Sequence, residues 1–418
     1  MPNAEARTLL GLVLGSLLLF PVAVHGQGTV RRVSLTEALE EFAENSLALK
    51  IARSETAQLA GAARQARAYT NPAFSFGRDD LGHLDEEYWE QTFLFAQPVE
   101  WPGRTAARAR AATYATGAGT ARLLADSIAL AYEVREAYVQ AWLAEEAERI
   151  ARRTASVIQT VAEDAEIRLD AGDISAFEAR RLRLERVQAD QQVAEAALQS
   201  RDARRKLATL IAPGTGTEEV GPSEGMDGVP PMVTRGAALQ ALPRRPDLEA
   251  AARELDAARA GEEIAATYAI PEPTVGLGYR HHLDGLGGAS IAVDLPLPLF
   301  DRGSAARAEA AAQSSAAAYR LDLRRQLARN DLASAADRYA SRRARLEAVS
   351  ASLLADGEAL LSAATAAYSE QEMSLLELLD AASAFQNALS SALSLRSEAW
   401  IAYYDVLRAT GGGLEDER

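Results

Sequence analysis

The sequence predicts an elongated, mainly α-helical fold that carries four short β-strands and is built twice over. Three observations predict it. Two proline-free runs, residues 103–212 and 299–418, are rich in the helix formers Ala, Arg, Glu, Leu and Gln. Each run is interrupted once by weaker helix residues, at 169–175 and 368–374. The order of elements then recurs after about 200 residues, the signature of a duplication. Each run reads as a long helix, a tight turn and a shorter returning helix. The long helices, over 105–169 and 304–368, would each reach roughly 100 Å at 1.5 Å per residue, too long for a globular core.

The N-terminus is expected to be an export signal over residues 1–26. Arg7 precedes an apolar run from Leu9 to Val24, which ends in the small residues around Gly26. No later stretch is apolar enough for a transmembrane helix, so a membrane crossing would have to use strands. The first repeat spans 27–212. Ser34-Leu35-Thr36-Glu37 opens a helix with the spacing of a capping box. The helical pattern runs to about Ala68, and Asn71-Pro72 stops it.

An alternating stretch at 73–77 follows, then a polar loop with Asp79, Asp80, Gly82, His83 and Asp85. Alternation returns over 88–97, with Trp89, Phe93 and Phe95 on one face and Glu90, Thr92 and Ala96 on the other, as in a strand pair. Pro102-Gly103 opens the first long helix. Its returning partner is expected over 175–211, followed by a Gly- and Pro-rich linker at 213–233.

The second repeat spans 234–410, with a tail at 411–418. Arg53–Gly61 matches Arg253–Gly261, and Pro72-Ala73-Phe74 matches Pro273-Thr274-Val275. The strand pair recurs at 274–279 and 289–295, Arg104-Thr105-Ala106-Ala107-Arg108 matches Gly303-Ser304-Ala305-Ala306-Arg307, and Ser175 matches Ser374. In the first unit the two shorter helices together come close to the long helix in length, so they can stack end to end beside it.

Four strands cannot close a barrel, which needs around eight. An exported chain with four such strands has to hide its edges by association, and three copies would supply twelve. Phe74, Phe76, Trp89, Phe93, Phe95, Val275, Leu277, Ile291 and Val293 would then face lipid, and Thr92, Gly276, Gly278, Ser290 and Asp294 water. A small soluble sheet capping a helical bundle fits the same pattern.

A net charge of −15 argues against nucleic acid as the partner, and the absence of cysteine excludes disulfides, thiolate metal sites and a lipidated N-terminal cysteine. Phosphate-loop, Gly-x-Ser-x-Gly and His-Glu-x-x-His signatures are missing, so neither an enzyme nor a cofactor is expected. His83, His281 and His282 fall in the expected hairpin loops near Asp79, Asp85 and Asp284, in a spacing that matches no established metal-ligand pattern.

The duplicated order, together with Gln97-Pro98-Val99-Glu100-Trp101-Pro102-Gly103-Arg104, Pro298-Leu299-Phe300-Asp301-Arg302-Gly303, Ala171-Gly172-Asp173-Ile174-Ser175 and Ser374-Leu375-Leu376-Glu377-Leu378-Leu379-Asp380-Ala381, resembles the TolC-type outer-membrane efflux proteins. The Glu100-Trp101-Pro102-Gly103-Arg104 stretch is most similar to their heavy-metal branch. The resemblance implies a mainly α fold with a membrane β-barrel. Long helical hairpins would form a trimeric α-barrel in the periplasm, and four strands per protomer would enter one shared twelve-stranded barrel in the outer membrane.

It further implies an exit duct of a tripartite efflux pump, docked onto a periplasmic adaptor and an inner-membrane pump. The periplasmic gate it implies is Glu377 and Asp380, with Glu178 in the first repeat, and Met373 replaces a basic residue found near that turn in some members. The competing reading is a periplasmic coiled-coil scaffold or adaptor without a pore. Such a scaffold leaves the paired aromatic strands without a role.

Overall fold

A computed structural model describes residues 30–83, 86–214, 219–348, 352–370 and 372–412. The expected export signal, Asp85 and tail residues 413–418 lie outside the described residues. Strand β1 (Arg31–Val33) leads into α1 (Leu35–Asn45), whose start carries the anticipated capping box between Ser34 and Glu37. The single helix expected up to Ala68 is two: Ser46 leaves the helical conformation, and its buried hydroxyl accepts from the Leu49 N–H to begin α2 (Leu47–Ala66). A serine can satisfy an orphan N–H wherever it falls, so it starts a helix as readily as it sits inside one.

Strands β2 (Ala73–His83) and β3 (Glu86–Pro98) form the first hairpin. Helix α3 (Pro102–Ala171) has 70 residues, about 105 Å at the α-helical rise, with proline in its first turn. It ends at Gly172, whose left-handed φ of 82° lets the chain reverse. Helix α4 (Ala176–Ile211) then returns along it. The stretch expected as a plain linker carries β4 (Val220–Pro222), which pairs in parallel with β1.

Short α5 (Arg235–Gln240) and α6 (Pro246–Ala266) lead to the second hairpin, β5 (Thr274–His282) and β6 (Gly287–Asp294). The second long run is described as α7 (Ser304–Ala348) and α8 (Ser352–Ser369), followed by α9 (Leu375–Ala409).

Helix α3 is the spine. Its strand-proximal half packs between α2 and α6, through Thr56 beside Gly119 and the ion pairs of Arg110 and Arg122 with Glu263 and Glu254. Its far half packs between α4 and α9. The two shorter helices of the first unit therefore do lie in succession along the long one. The main core sits where they meet, around Val33, Phe42, Tyr138, Leu207, Tyr339 and Tyr403. A separate small core lies at the far turns: Val161 and Ala165 of α3, Leu182 of α4, Tyr368 of α8, and Leu375 and Leu378 of α9.

Candidate functional site

Two regions lie at the ends of the helical body: the sheet at one end and the turns, over their small core, at the other. The sheet is antiparallel in the order β2-β3-β5-β6, so β2 and β6 have free edges. Register decides which side chains share a face, because directly paired residues project the same way. Phe74 pairs with Phe95, Phe95 with Leu277, and Leu277 with Ile291. Phe76 pairs with Phe93, and Val275 with Val293. Trp89 lies in β3 at the same parity as Phe93.

All nine apolar residues singled out in the sequence therefore lie on one face, joined by Tyr279. Eight of the nine are exposed in the single chain, up to 77% at Ile291, while Trp89 is half-buried. At the hairpin end this face turns polar: Arg78 pairs with Asp80 at 2.9 Å and lies over the Trp89 ring, which meets His281 edge-on.

The second face carries Thr92, Glu90, Arg280, Ser290 and Asp294, with Arg280 and Glu90 paired at 2.7 Å. Gly276 and Gly278 sit on it because Leu94 lies across them. A Cβ on Gly278 would come within 2.6 Å of the Phe93 carbonyl and the Ser290 hydroxyl.

The hairpin loops shrink accordingly. Asp79, Asp80, Gly82 and His83 belong to β2, and His281 and His282 to β5. Polar residues on both faces erase the two-residue hydrophobic period, so these strand ends read as loop. Successive strand residues point to opposite faces. His281 meets Trp89 on one face, and His282 hydrogen-bonds the Tyr88 hydroxyl on the other, so the pair does not converge on one ion. Among the described residues no group of three or more acidic, His or Cys side chains could hold a metal.

Below the sheet, a clamp joins the two repeats. The Val99 N–H donates to the Pro273 carbonyl at 2.8 Å and the Trp101 indole N–H to the Pro271 carbonyl at 3.1 Å. Arg104 pairs with Glu272 at 2.6 Å, donates to Thr267 and covers the Tyr268 ring. Glu100, its side chain only 5% exposed, accepts from Thr70, Thr105 and Arg108. The sequence signals a turn here, but which carbonyls the donors reach depends on long-range pairing.

At the opposite end each turn closes with the same device. Ser175 and Ser374 cap α4 and α9, and Glu178 and Glu377 reach back to the serine N–H at 3.0 Å and 2.9 Å. Two of the three expected gate carboxylates thus serve as caps, a role legible in Ser-x-x-Glu at 175–178 and 374–377. Asp380, one turn after Glu377, is exposed and lines a groove between α4 and α9 with Arg181, Gln188 and Gln192. Between α4 and α3, Arg183 grips Glu166 at 2.6 Å and 2.8 Å.

The Ser374 backbone N–H, and after it the Ser374 hydroxyl, holds the Glu377 carboxyl below its ordinary range. A depressed pKa gives stability that is complete above the unfolded value, about 4.3, and lost as pH falls through the folded one. Acidification from pH 7 to about 5 is therefore expected to leave the α9 cap intact. Hydrogen exchange at the start of α9, corrected for intrinsic rates, checks this. Loss of protection already at about pH 5 would mean that the carboxylate is not held as described.

Residues 238–412 match a family model described as outer membrane efflux protein. The cobalt-zinc-cadmium resistance protein CzcC of Cupriavidus metallidurans is 26% identical over 356 residues, covering 84% of this chain and 83% of that protein. A solved structure of CusC superimposes with a TM-score of 0.75 at 19% identity, covering 91% of this chain and 93% of the other. The open state of the MtrE outer membrane channel of Neisseria gonorrhoeae gives 0.75 at 21% identity, covering 91% and 89%.

Proposed function

We propose that this chain, which belongs to the outer membrane efflux protein family, is the passive exit duct of a tripartite pump and works as a homotrimer. It is an outer-membrane efflux channel with its helices in the periplasm. One observation carries the finer reading: a four-stranded sheet with an apolar band across one face ends in two unpaired edges. Such a sheet is hidden only when other copies continue it, and three copies make a barrel of twelve strands. The apolar face then meets lipid, and Thr92, Glu90, Arg280 and Ser290 line water.

In this reading the far turns form the periplasmic mouth, which meets an adaptor and receives cargo from an inner-membrane pump. Three copies repeat Glu377, Asp380 and Glu178 around that mouth. Rings of carboxylates in a narrow aqueous opening concentrate cations. Metal cations are the proposed cargo, which passes through without a resident site. Similarity to a cobalt-zinc-cadmium resistance protein supports that choice.

Conductance of the purified assembly in planar bilayers tests the gate. Glu377→Gln removes charge but keeps an oxygen for the Ser374 N–H, since glutamine also serves in a capping box. Combined with Asp380→Asn, it is expected to raise conductance and lower cation selectivity. Unchanged values for both would remove these residues from the gate. The native mass of the chain extracted from outer membranes tests the trimer.

A further inference from the structure

We propose that Phe300 is a subunit latch whose ring enters a hollow beside Tyr69 on a second copy of this chain. The inference rests on the ring-shaped assembly proposed above and names the residues that lock it at the base of the sheet.

The repeat itself supplies the template. Within one chain, the β3–α3 side of the first unit meets the connection between α6 and β5 in the second, and Trp101 docks on Pro271 there. Trp101 precedes Arg104 by three residues, and Phe300 precedes the matching Gly303 by three. Pro271 precedes the first residue of β5 by three, and Thr70 stands in the same relation to β2. A head-to-tail ring lays the β6–α7 side of one copy against the α2–β2 side of the next. That step carries Phe300 to Thr70 of the neighbour as Trp101 is carried to Pro271 within the chain.

Both sides are shaped for it. Phe300 is 102% exposed, and Leu297 and Leu299 before it are 66% and 67% exposed. On the other side of the same chain an open cavity of about 540 Å³ lies between the end of α2 and the start of α3. Its lining includes Ala62, Gln65, Ala66, Tyr69, Thr70 and Arg108. Bare apolar side chains and a vacant hollow at equivalent levels of a self-repeating chain are the two halves of a heterologous contact.

The polar groups agree with the apolar fit. Inside the chain, the Pro271 carbonyl takes its hydrogen bond from the Trp101 indole. The Thr70 carbonyl already accepts from Gln97 of its own chain at 2.9 Å, and the Thr70 hydroxyl donates to Glu100. The Thr70 carbonyl therefore does not depend on a donor from a neighbour, and phenylalanine brings none. The other clamp donors are missing too: Pro298 stands where Val99 offers its N–H, and Gly303 where Arg104 offers its guanidinium. The joint within the chain is held by hydrogen bonds fixed in direction, whereas Phe300 brings only an apolar ring, to a hollow lined by Ala62, Ala66 and Tyr69 as well as by Gln65, Asn71, Glu100 and Arg108.

The test places the photoreactive analogue p-benzoyl-phenylalanine at position 300 of the full chain in outer membranes. Irradiation is expected to give covalent dimers and trimers on denaturing gels, with the crosslinks mapping to residues 62–71. Crosslinks to lipid alone, within the same chain or elsewhere on a neighbour overturn the latch. The native mass before irradiation separates the two readings. A trimer with misplaced crosslinks sinks the latch alone, and a monomer sinks the ring and the latch with it.

Phe300→Ala gives an independent readout. The heat needed to dissociate detergent-resistant trimers is expected to fall by several degrees and to recover in Phe300→Trp. An unchanged dissociation temperature in the alanine variant also overturns the proposal.

Discussion

Phe93→Arg is expected to leave the chain outside the outer membrane, whereas Thr92→Arg, one residue away, is expected to insert. Phe93 sits within the apolar face, paired across the sheet with Phe76 on one side and Tyr279 on the other. Its ring lies 5.1 Å from that of Phe76. An arginine on the lipid face of a barrel costs about 2–4 kcal/mol at mid-membrane, and the lost phenylalanine removes about 1.5–3 kcal/mol of burial. In the proposed barrel of three copies the penalty recurs in each copy. Thr92 shares the opposite face with Glu90 and Arg280, which already pair there. Fractionation of membranes from cells making each variant checks the pair. Insertion of Phe93→Arg together with exclusion of Thr92→Arg would mean that the two faces are reversed.

Those faces were readable from the sequence because the apolar residues of each strand recur every second position, and register then adds only which strands are neighbours. Residue order could not show where the strands end. Beyond Gly77 and Tyr279 both faces become polar, so the period that marks a strand vanishes while the hydrogen-bonded ladder continues to His83 and to His282. Helices α3 and α4 were legible for the opposite reason: their boundaries carry Pro102, Gly172 and Ser175, which act locally. The β1–β4 pair was invisible, since three-residue strands have no period and their partners lie about 190 positions apart. At the far turns the resemblance singled out Glu377 and Glu178, but the same four-residue windows also spell a helix cap. A carboxylate there can serve both purposes, because capping leaves its charge in place.

The parallel β1–β4 pair ties residues 220–222 of the connection between the repeats to the start of the first, and two buried tyrosines fasten the residues that follow. Tyr138 of α3 is fully buried, donates to the Val33 carbonyl of β1 at 3.1 Å and accepts from the Glu224 N–H beyond β4. Tyr339 of α7, 1% exposed, donates to the carbonyls of Pro230 and Pro231. Each long helix thus pins one end of the connection through a hydroxyl inside the main core. Replacing a large aromatic core residue by alanine costs about 3–5 kcal/mol, and the group that loses its partner, the Glu224 N–H at Tyr138 or the Pro231 carbonyl at Tyr339, adds about 1–3 kcal/mol. Phenylalanine keeps the ring and forfeits about 1–3 kcal/mol for that unpaired group alone, since the Val33 carbonyl still accepts from the Ser223 N–H and the Pro230 carbonyl from Arg343.

Tyr138→Ala and Tyr339→Ala are therefore expected to expose the stretch at 219–233 to proteases at temperatures where the parent chain resists. The phenylalanine variants should fall between. Membrane insertion should survive in all four, because the sheet shares no side chain with this core. Equal protease resistance in the alanine variants would place the pinning elsewhere, in the backbone ladder of β1 and β4. Loss of insertion would mean that the sheet assembles only after the connection between the repeats has been tied down.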